Sequence, residues 1–275
     1  MAITRPKSPA ITLRRLLHDI EPTALDRTHW RRVGIELLVT AALMVIYFYL
    51  RGQRPDNIEE SVSRSLAIIR IEREWGFFHE VQWQHTFLNF AWPISVANVV
   101  YAWMHYPVMG AVGVWLLVKD PVRFRFIRNV LMLSAVIGLV TYWLWPAAPP
   151  RLMAEHGYDF GFIDTVHGAT SNVHYFQPSP FVNDYAALPS FHFGWIALVS
   201  AAIWVNTRRP TIRLVAVAMS ALMWWAIVVT GNHYFLDMVL GAAVVALSWA
   251  AVWALGRYRV GPRLVEAARG HALRA

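Results

Sequence analysis

Long apolar runs separated by short charged stretches make up most of the chain. A membrane-spanning helix needs about 20 mostly apolar residues. Five runs fit one span each: residues 33–50, 127–145, 188–205, 212–230 and 235–255. A sixth run, residues 88–118, is too long for one upright span. Because it contains Pro93 and Pro107, we interpret it as one kinked helix, with two shorter segments as the alternative. The pattern predicts an all-α, polytopic membrane protein with six transmembrane helices.

Two further segments are too polar to span. In residues 51–87, aromatic and aliphatic side chains recur among Arg and Glu at roughly helical intervals, which predicts an interfacial helix. A solvated connector with a few anchoring aromatic side chains is the alternative. Residues 147–187 are rich in Pro, Gly, Asn and His and predict a long loop, which at this length is often functional.

Composition and charge support the membrane assignment and give an orientation. The chain is 57% hydrophobic and only 15% charged, whereas soluble domains are about a quarter charged. Of its 25 Lys and Arg, 19 lie in residues 1–32, 119–128, 206–213 and 257–275. By the positive-inside rule these segments face the cytoplasm, so both termini are expected inside, in the plasma membrane.

This topology divides the chain into three parts: a cytoplasmic segment 1–32, a membrane domain 33–256 and a cytoplasmic tail 257–275. The net charge of +8 is distributed at the ends of apolar runs and accompanies no nucleic-acid motif, so no nucleic-acid partner is expected. The chain has no cysteine, which excludes disulfides, thiolate nucleophiles and Cys-ligated zinc.

Three short motifs fall at span ends that the topology places on the outer membrane face. They are WPAAPPR at residues 145–151, ALPSFH at residues 187–192 and GNHYFLD at residues 231–237. In the last, His233 and Asp237 are four residues apart and therefore share one face of a helix. The carboxylate can accept the N–H of one imidazole nitrogen and leave the other for a substrate, as a nucleophile or a general base requires. A His–Asp pair that only caps a helix is the alternative.

The neighbouring residues suit a phosphate. Ser190 could cap the fourth span, whose first N–H groups favour an anion, and His192 could protonate a leaving oxygen. Arg151 follows two prolines and suits bidentate phosphate binding. Asn232 and Tyr234 flank His233 and are expected to contact substrate. Taken singly, His192 could be a surface histidine and Arg151 a snorkelling side chain.

Together these residues predict a site for phosphoryl transfer. A metal site built from His192, His233, Asp237, His167 and His174 is the rival interpretation. No zinc-type spacing such as H-E-x-x-H is present, and we expect neither a metal nor a cofactor. Nucleotide-binding and serine-hydrolase motifs do not occur either.

The sequence PPR, then PSFH, then HYFLD, in this order at span ends, resembles the type 2 phosphatidic acid phosphatase superfamily. Within it, the chain is most similar to the branch of the fungal inositol phosphorylceramide (aureobasidin-resistance) synthases. The resemblance covers about residues 33–255. It implies a six-helix membrane fold and metal-independent catalysis through a phosphohistidine.

Carried over residue by residue, the resemblance makes His233 the nucleophile and Asp237 its orienting carboxylate. His192 would be the acid and then the base, and Arg151 would hold the phosphate. Three departures stand out: Ile227 replaces the usual arginine of the third motif, Phe191 replaces the glycine before the second histidine, and no lysine precedes Arg151 at the expected place.

The sequence therefore predicts a lipid-phosphate phosphohydrolase or an inositolphosphotransferase-like enzyme at the outer membrane face. Its expected partners are a lipid phosphate or phosphodiester, a water or polyol acceptor, and membrane lipids. A polyprenyl diphosphate phosphatase that recycles carrier lipid is one alternative. A non-catalytic scaffold or lipid transporter is the other. The sequence makes no prediction of oligomeric state.

Overall fold

A computed structural model describes residues 27–168, 171–173 and 178–272, and every regular element in these ranges is a helix. The cytoplasmic segment predicted over residues 1–32 lies mostly outside the described residues, as do His174 and the last three residues of the predicted tail. The nine α-helices are α1 Arg27–Gly52, α2 Ile58–Glu74, α3 Glu80–Leu88, α4 Ala91–Val99, α5 His105–Lys119, α6 Pro121–Leu144, α7 Phe191–Asn206, α8 Pro210–Val229 and α9 Phe235–Ala272.

Within the described part of the chain, five helical stretches are long and apolar enough to cross a membrane: α1, the joined α4–α5, α6, α8 and the first part of α9. The span predicted over residues 188–205 corresponds to α7, a shorter apolar helix of 16 residues, about 24 Å long. Helix α7 packs against α5, α8 and α9, and Ile196, Leu198 and Ala202 on it are almost fully buried. These helices confirm the all-α, polytopic membrane fold.

The long second span is one continuous helical stretch, Ala91–Lys119, as the single-helix interpretation predicted. Between α4 and α5 it contains a π-helical segment, Val100–Met104. Pro107 follows directly, and its ring removes one backbone N–H and crowds the carbonyl four residues earlier. A wider turn at this point is a known way for a helix to accommodate such a disturbance.

The segment predicted as one interfacial helix forms two helices, α2 and α3, which pack against the protein. Ile68 and Ile69 on α2 are only 3% exposed and belong to a cluster with Ala147, Ala148 and Tyr234. The segment thus connects the loop over residues 147–187 to the start of α9 rather than resting on lipid alone.

A charged group lies at the opposite end of the helices from this cluster. Glu36 of α1 forms ion pairs with Arg128 and, at 3.5 Å, with Arg125, both on α6. The carboxylate inside the first apolar run is therefore paired, as an ionisable group in a membrane helix needs to be.

Helices α7 and α9 meet at two glycines. A Cβ on Gly241 would lie 2.2 Å from the Ser190 carbonyl oxygen, and a Cβ on Gly194 would lie 2.9 Å from the Gly241 carbonyl oxygen. Small residues let membrane helices approach this closely. The contact fixes the start of α7 against the first turns of α9.

We therefore expect Gly241→Ala to lower the free energy of unfolding by about 1–3 kcal/mol, because the added methyl group forces α7 and α9 apart. The measurement is thermal unfolding in detergent. Gly34→Ala is the matched control, since a Cβ there meets nothing within 4 Å, and alanine alone favours a helix. Equal stability of Gly241→Ala and the wild type would contradict this packing.

Candidate active site

The three sequence motifs meet at one polar cavity of about 80 Å³. Four of the seven predicted site residues line it: Arg151, His192, Asn232 and His233. The remaining three, Ser190, Tyr234 and Asp237, are buried beside it and do not contribute to its lining.

His233 is held by Asp237, as their spacing predicted. The imidazole Nδ1 lies 3.2 Å from Asp237 Oδ2, and the same oxygen accepts the Tyr234 backbone N–H at 3.0 Å. Asp237 is completely buried. Because Nδ1 faces the carboxylate, Nε2 is the nitrogen that remains for a molecule in the cavity.

His192, in the first turn of α7, lies beside His233 with their ring centroids 5.7 Å apart. Two rings from the irregular part of the second span enclose it. Tyr101 stacks on it at 4.4 Å and 24°, and His105 meets it edge-on at 4.4 Å. His192 Nε2 is buried and has no hydrogen-bond partner among the described residues.

Tyr101 and His105 also line the cavity, and the sequence analysis missed both. They are four residues apart within an apolar run that was interpreted only as a span. A tyrosine and a histidine at that spacing, just before a proline, are the signal that could have identified them. π-Helical turns are frequent at functional sites.

Arg151 is held by four protein contacts. Its backbone N–H donates to Gly231 O at 2.8 Å, and its Nε donates to Asn232 Oδ1 at 3.0 Å. Its Nη1 lies 3.1 Å from Asp164 Oδ2, and its Nη2 lies 3.5 Å from Asp184 Oδ1. Asn232 therefore orients the guanidinium, whatever contact it makes with a substrate.

Asp164 remains ionised beside Arg151. Burial by itself would raise the pKa of this carboxyl, but hydrogen bonds from His167 and the charge of Arg151 outweigh burial and lower the pKa to about 2. The ion pair that positions Arg151 is therefore present throughout the physiological pH range.

Arg51, at the end of α1, brings a second cation to the cavity lining. Its Nη2 donates to Phe181 O at 3.1 Å, and its carbonyl accepts from Asn183 Nδ2 at 3.0 Å. Ile227, which replaces the family's third-motif arginine, is fully buried in the apolar core. Sequence reasoning missed Arg51 because it lies at the end of an apolar run. A basic residue there is usually interpreted only as a sign of which side of the membrane the next loop occupies.

Ser190 and Tyr234, both predicted to contact substrate, are buried behind the residues that line the cavity. Ser190 precedes α7, but its hydroxyl makes no capping hydrogen bond. Its backbone N–H donates to the Asp237 carbonyl at 2.9 Å, which connects the second and third motifs. Tyr234 is fully buried in the cluster that contains Leu188 and Phe162, because its side chain points away from the cavity into the α2 packing.

The turn that leads into His233 requires a glycine. Gly231 has a φ of 70°, and a Cβ there would lie 3.1 Å from Gln84 Nε2 and 3.2 Å from Ile163 O. Gln84, on α3, donates to Val229 O at 2.9 Å and to Ile163 O at 2.8 Å. Through Gln84, helix α3 thus connects the loop over residues 147–187 to the third motif.

Two buried carboxyl groups from outside the motifs hold the N-terminus of α9. Glu80 Oε1 accepts the Phe235 N–H at 2.9 Å, and Glu72 Oε1 accepts the Leu236 N–H at 2.7 Å. Both side chains are fully buried. A helix N-terminus has unpaired N–H groups and favours negative charge, so these contacts fix the turn that carries His233.

Burial first, and then the hydrogen bond and negative charge of the adjacent Glu80, raise the pKa of the Glu72 carboxyl well above its ordinary value, which favours its protonated form. The sequence analysis missed this pair. The sequence pattern that could have identified it is the position of Glu72 four residues after Ile68, which places both side chains on one buried face of α2.

If Glu72 is neutral, an uncharged amide can replace it. We expect Glu72→Gln to change the free energy of unfolding by less than about 1 kcal/mol, whereas Glu72→Leu, which leaves the Leu236 N–H unpaired, should cost about 1–3 kcal/mol. Thermal unfolding of the two purified variants makes the comparison. Equal losses in both would mean that Glu72 acts as a carboxylate.

Among the described residues, no three His, Asp or Glu side chains are grouped so that they could hold a metal ion. His167, from the rival metal interpretation, lies with its Nδ1 3.4 Å from Asp164 Oδ2. His174 lies outside the described residues.

Comparison with known proteins identifies two similar curated relatives. One is "Phosphoinositol dihydroceramide synthase" of Bacteroides thetaiotaomicron, 26% identical over 56% of this chain and 53% of the relative. The other is "Inositol phosphorylceramide synthase" of Candida albicans, 22% identical over 79% of this chain and 42% of the relative. The chain thus spans about half the length of these relatives. No solved structure matches it.

A family model described as "PAP2 superfamily" matches residues 66–251, which is more than half of the chain and contains all three motifs. Both relatives carry names of the branch that the motifs resemble. The chain therefore belongs to the PAP2 superfamily, in the branch similar to the inositol phosphorylceramide synthases.

Proposed function

We propose that this protein is a membrane phosphotransferase that acts on a lipid phosphate or phosphodiester through a phosphohistidine. The observation that carries the proposal is the His233–Asp237 pair on a cavity that is also lined by His192 and two arginines, Arg51 and Arg151. These groups supply a nucleophile, an acid–base partner and charge for a phosphate within one small space.

The reaction would proceed in two displacements. The guanidinium groups of Arg51 and Arg151 bind the phosphate oxygens, and His233 Nε2 attacks phosphorus. The P–O bond to the leaving group breaks as His192 gives that oxygen a proton. Asp237 stabilises the ring as it becomes positively charged on Nε2 phosphorylation.

In the second displacement, His192 accepts the proton of an acceptor hydroxyl. The acceptor oxygen attacks phosphorus, the P–N bond breaks and His233 returns to its starting form. Water as acceptor gives hydrolysis, and a polyol gives headgroup transfer. Both relatives are named as synthases that join an inositol phosphate group to a ceramide, which favours headgroup transfer over hydrolysis.

The orientation is part of the proposal. The cavity lies at the end of the helices away from the Glu36–Arg128 ion pair, and the positive-inside rule puts that ion pair near the cytoplasm. We infer that residues 33–256 form one membrane domain of the cytoplasmic membrane, with the cavity open to the outside. Residues 1–32 and 257–275 would then be cytoplasmic.

The covalent mechanism predicts that His233→Ala abolishes turnover and that Asp237→Asn lowers kcat by about 10³–10⁴-fold, as for other His–Asp pairs. The assay measures phosphate release from phosphatidic acid and, with ceramide or free inositol added as the acceptor alcohol, transfer of the phosphate-bearing group from phosphatidic acid and phosphatidylinositol, with and without EDTA. Near wild-type rates in His233→Ala would exclude this nucleophile, and a loss in EDTA that zinc restores would favour a metal mechanism. The released product distinguishes phosphatase from transferase.

The topology can be tested independently because the chain contains no cysteine. In intact cells we expect a membrane-impermeant maleimide to label Glu155→Cys in the loop over residues 147–187, whereas Thr211→Cys in the first turn of α8 should react only after the membrane is permeabilised. Both positions are exposed. The reverse labelling pattern would invert the orientation.

A further inference from the structure

A second cavity, of about 350 Å³, lies between α1, α5, α6 and α7. Most of its lining is aliphatic or aromatic, and the polar side chains in it include Thr40 and, at one end, Arg128. It is thus about four times larger than the polar cavity and of opposite character. No part of the mechanism above uses it.

The two cavities are neighbours. Phe48, Tyr106 and Trp195 line both of them, so these three rings form the boundary between the catalytic space and the apolar space. A molecule with a phosphate beside His233 and an attached hydrocarbon chain could therefore occupy both cavities at once.

The apolar cavity extends along α1 for the length of one lipid chain. Its lining runs from Phe48, beside the catalytic cavity, to Leu37, which is eleven residues away and thus about 16 Å along the helix. The hydrocarbon core of a bilayer is about 30 Å thick and is filled by two layers of chains, so one chain occupies about 15 Å. At the far end, the Glu36–Arg128 ion pair marks where apolar space ends.

Two glycines leave part of this space open. A Cβ on Gly110 would meet nothing within 4 Å, and a Cβ on Gly113 would meet only the Phe124 ring, at 3.8 Å. Both positions line the cavity. A larger side chain at either position would therefore enter the cavity without striking the backbone of a neighbouring helix.

We propose that this cavity binds one hydrocarbon chain of the lipid whose phosphate lies in the catalytic cavity. This proposal rests on the proposed function, which supplies the phosphate group. It adds that the enzyme prefers substrates with at least one long hydrocarbon chain.

The test combines variants whose larger side chains fill the apolar cavity with substrates whose hydrocarbon chains differ in length. Gly113→Leu and Gly110→Leu are compared with Gly34→Leu, a matched helical glycine whose added Cβ also meets nothing within 4 Å but which lies outside the cavity lining. The substrates are dioleoyl phosphatidylinositol and its water-soluble dibutanoyl counterpart. A second readout is photocrosslinking of phosphatidylinositol that carries a diazirine in the middle of one chain, with mass-spectrometric mapping.

For the dioleoyl lipid, we expect the filling variants to raise KM by about tenfold, which is the effect of a mismatch of one or two methylene groups in an apolar pocket. The dibutanoyl lipid should react equally well with all variants, which also shows that they fold. Crosslinks should map to Met44 and Met109 in the wild type and in Gly34→Leu, and should disappear when the cavity is filled.

Unchanged KM values and unchanged crosslinks in both filling variants would overturn the chain site. A different set of results would show that the proposed reaction, and not the chain site, is wrong. If no phosphatidylinositol reacts but the crosslinks map to the cavity and are lost on filling, the chain site stands and the assigned reaction is wrong.

Discussion

The arrangement of the catalytic cavity depends on how the first turn of α9 is held. Its backbone N–H groups at Tyr234, Phe235 and Leu236 donate to carboxyl oxygens of Asp237, Glu80 and Glu72, which come from three different helices. Asp237 also holds the imidazole of His233. The same contacts that satisfy a helix end therefore set the orientation of the His233 imidazole, and they connect α2 and α3 to the polar cavity.

Around this turn, the protein separates two environments that a lipid phosphate needs at the same time. The polar cavity is lined by two arginines and four histidines, and Arg151 is held by Asp164 and Asp184 of the loop over residues 147–187. The apolar cavity begins at the three shared rings and continues along α1. A headgroup and a chain have opposite preferences for water, so adjoining polar and apolar spaces match the substrate class in the proposed function.

The sequence predicted those features that follow from local pattern. Hydrophobic run length gave the spans, and the four-residue spacing of His233 and Asp237 gave the pair that the structure shows at 3.2 Å. The contributions of Arg51, Tyr101 and Glu72 were missed because each depends on long-range packing. A basic residue at a span end and a tyrosine within a span have ordinary structural explanations, and only the folded chain places them around His192 and the N-terminus of α9. The same holds for Tyr234, whose neighbours in sequence suggested the cavity although its side chain packs on α2.

The π-helical segment Val100–Met104 has a consequence for how this family diverges. Each residue added to or removed from a helix rotates everything beyond it by about 100° about the axis. Deletion of a single residue between Tyr101 and His105 would return the span to a regular α-helix and rotate Tyr101 by about 100° about the axis relative to His105. The two rings around His192 are therefore linked to chain length within one span, and sequences that differ by one residue at this place would enclose the second histidine with a different set of side chains.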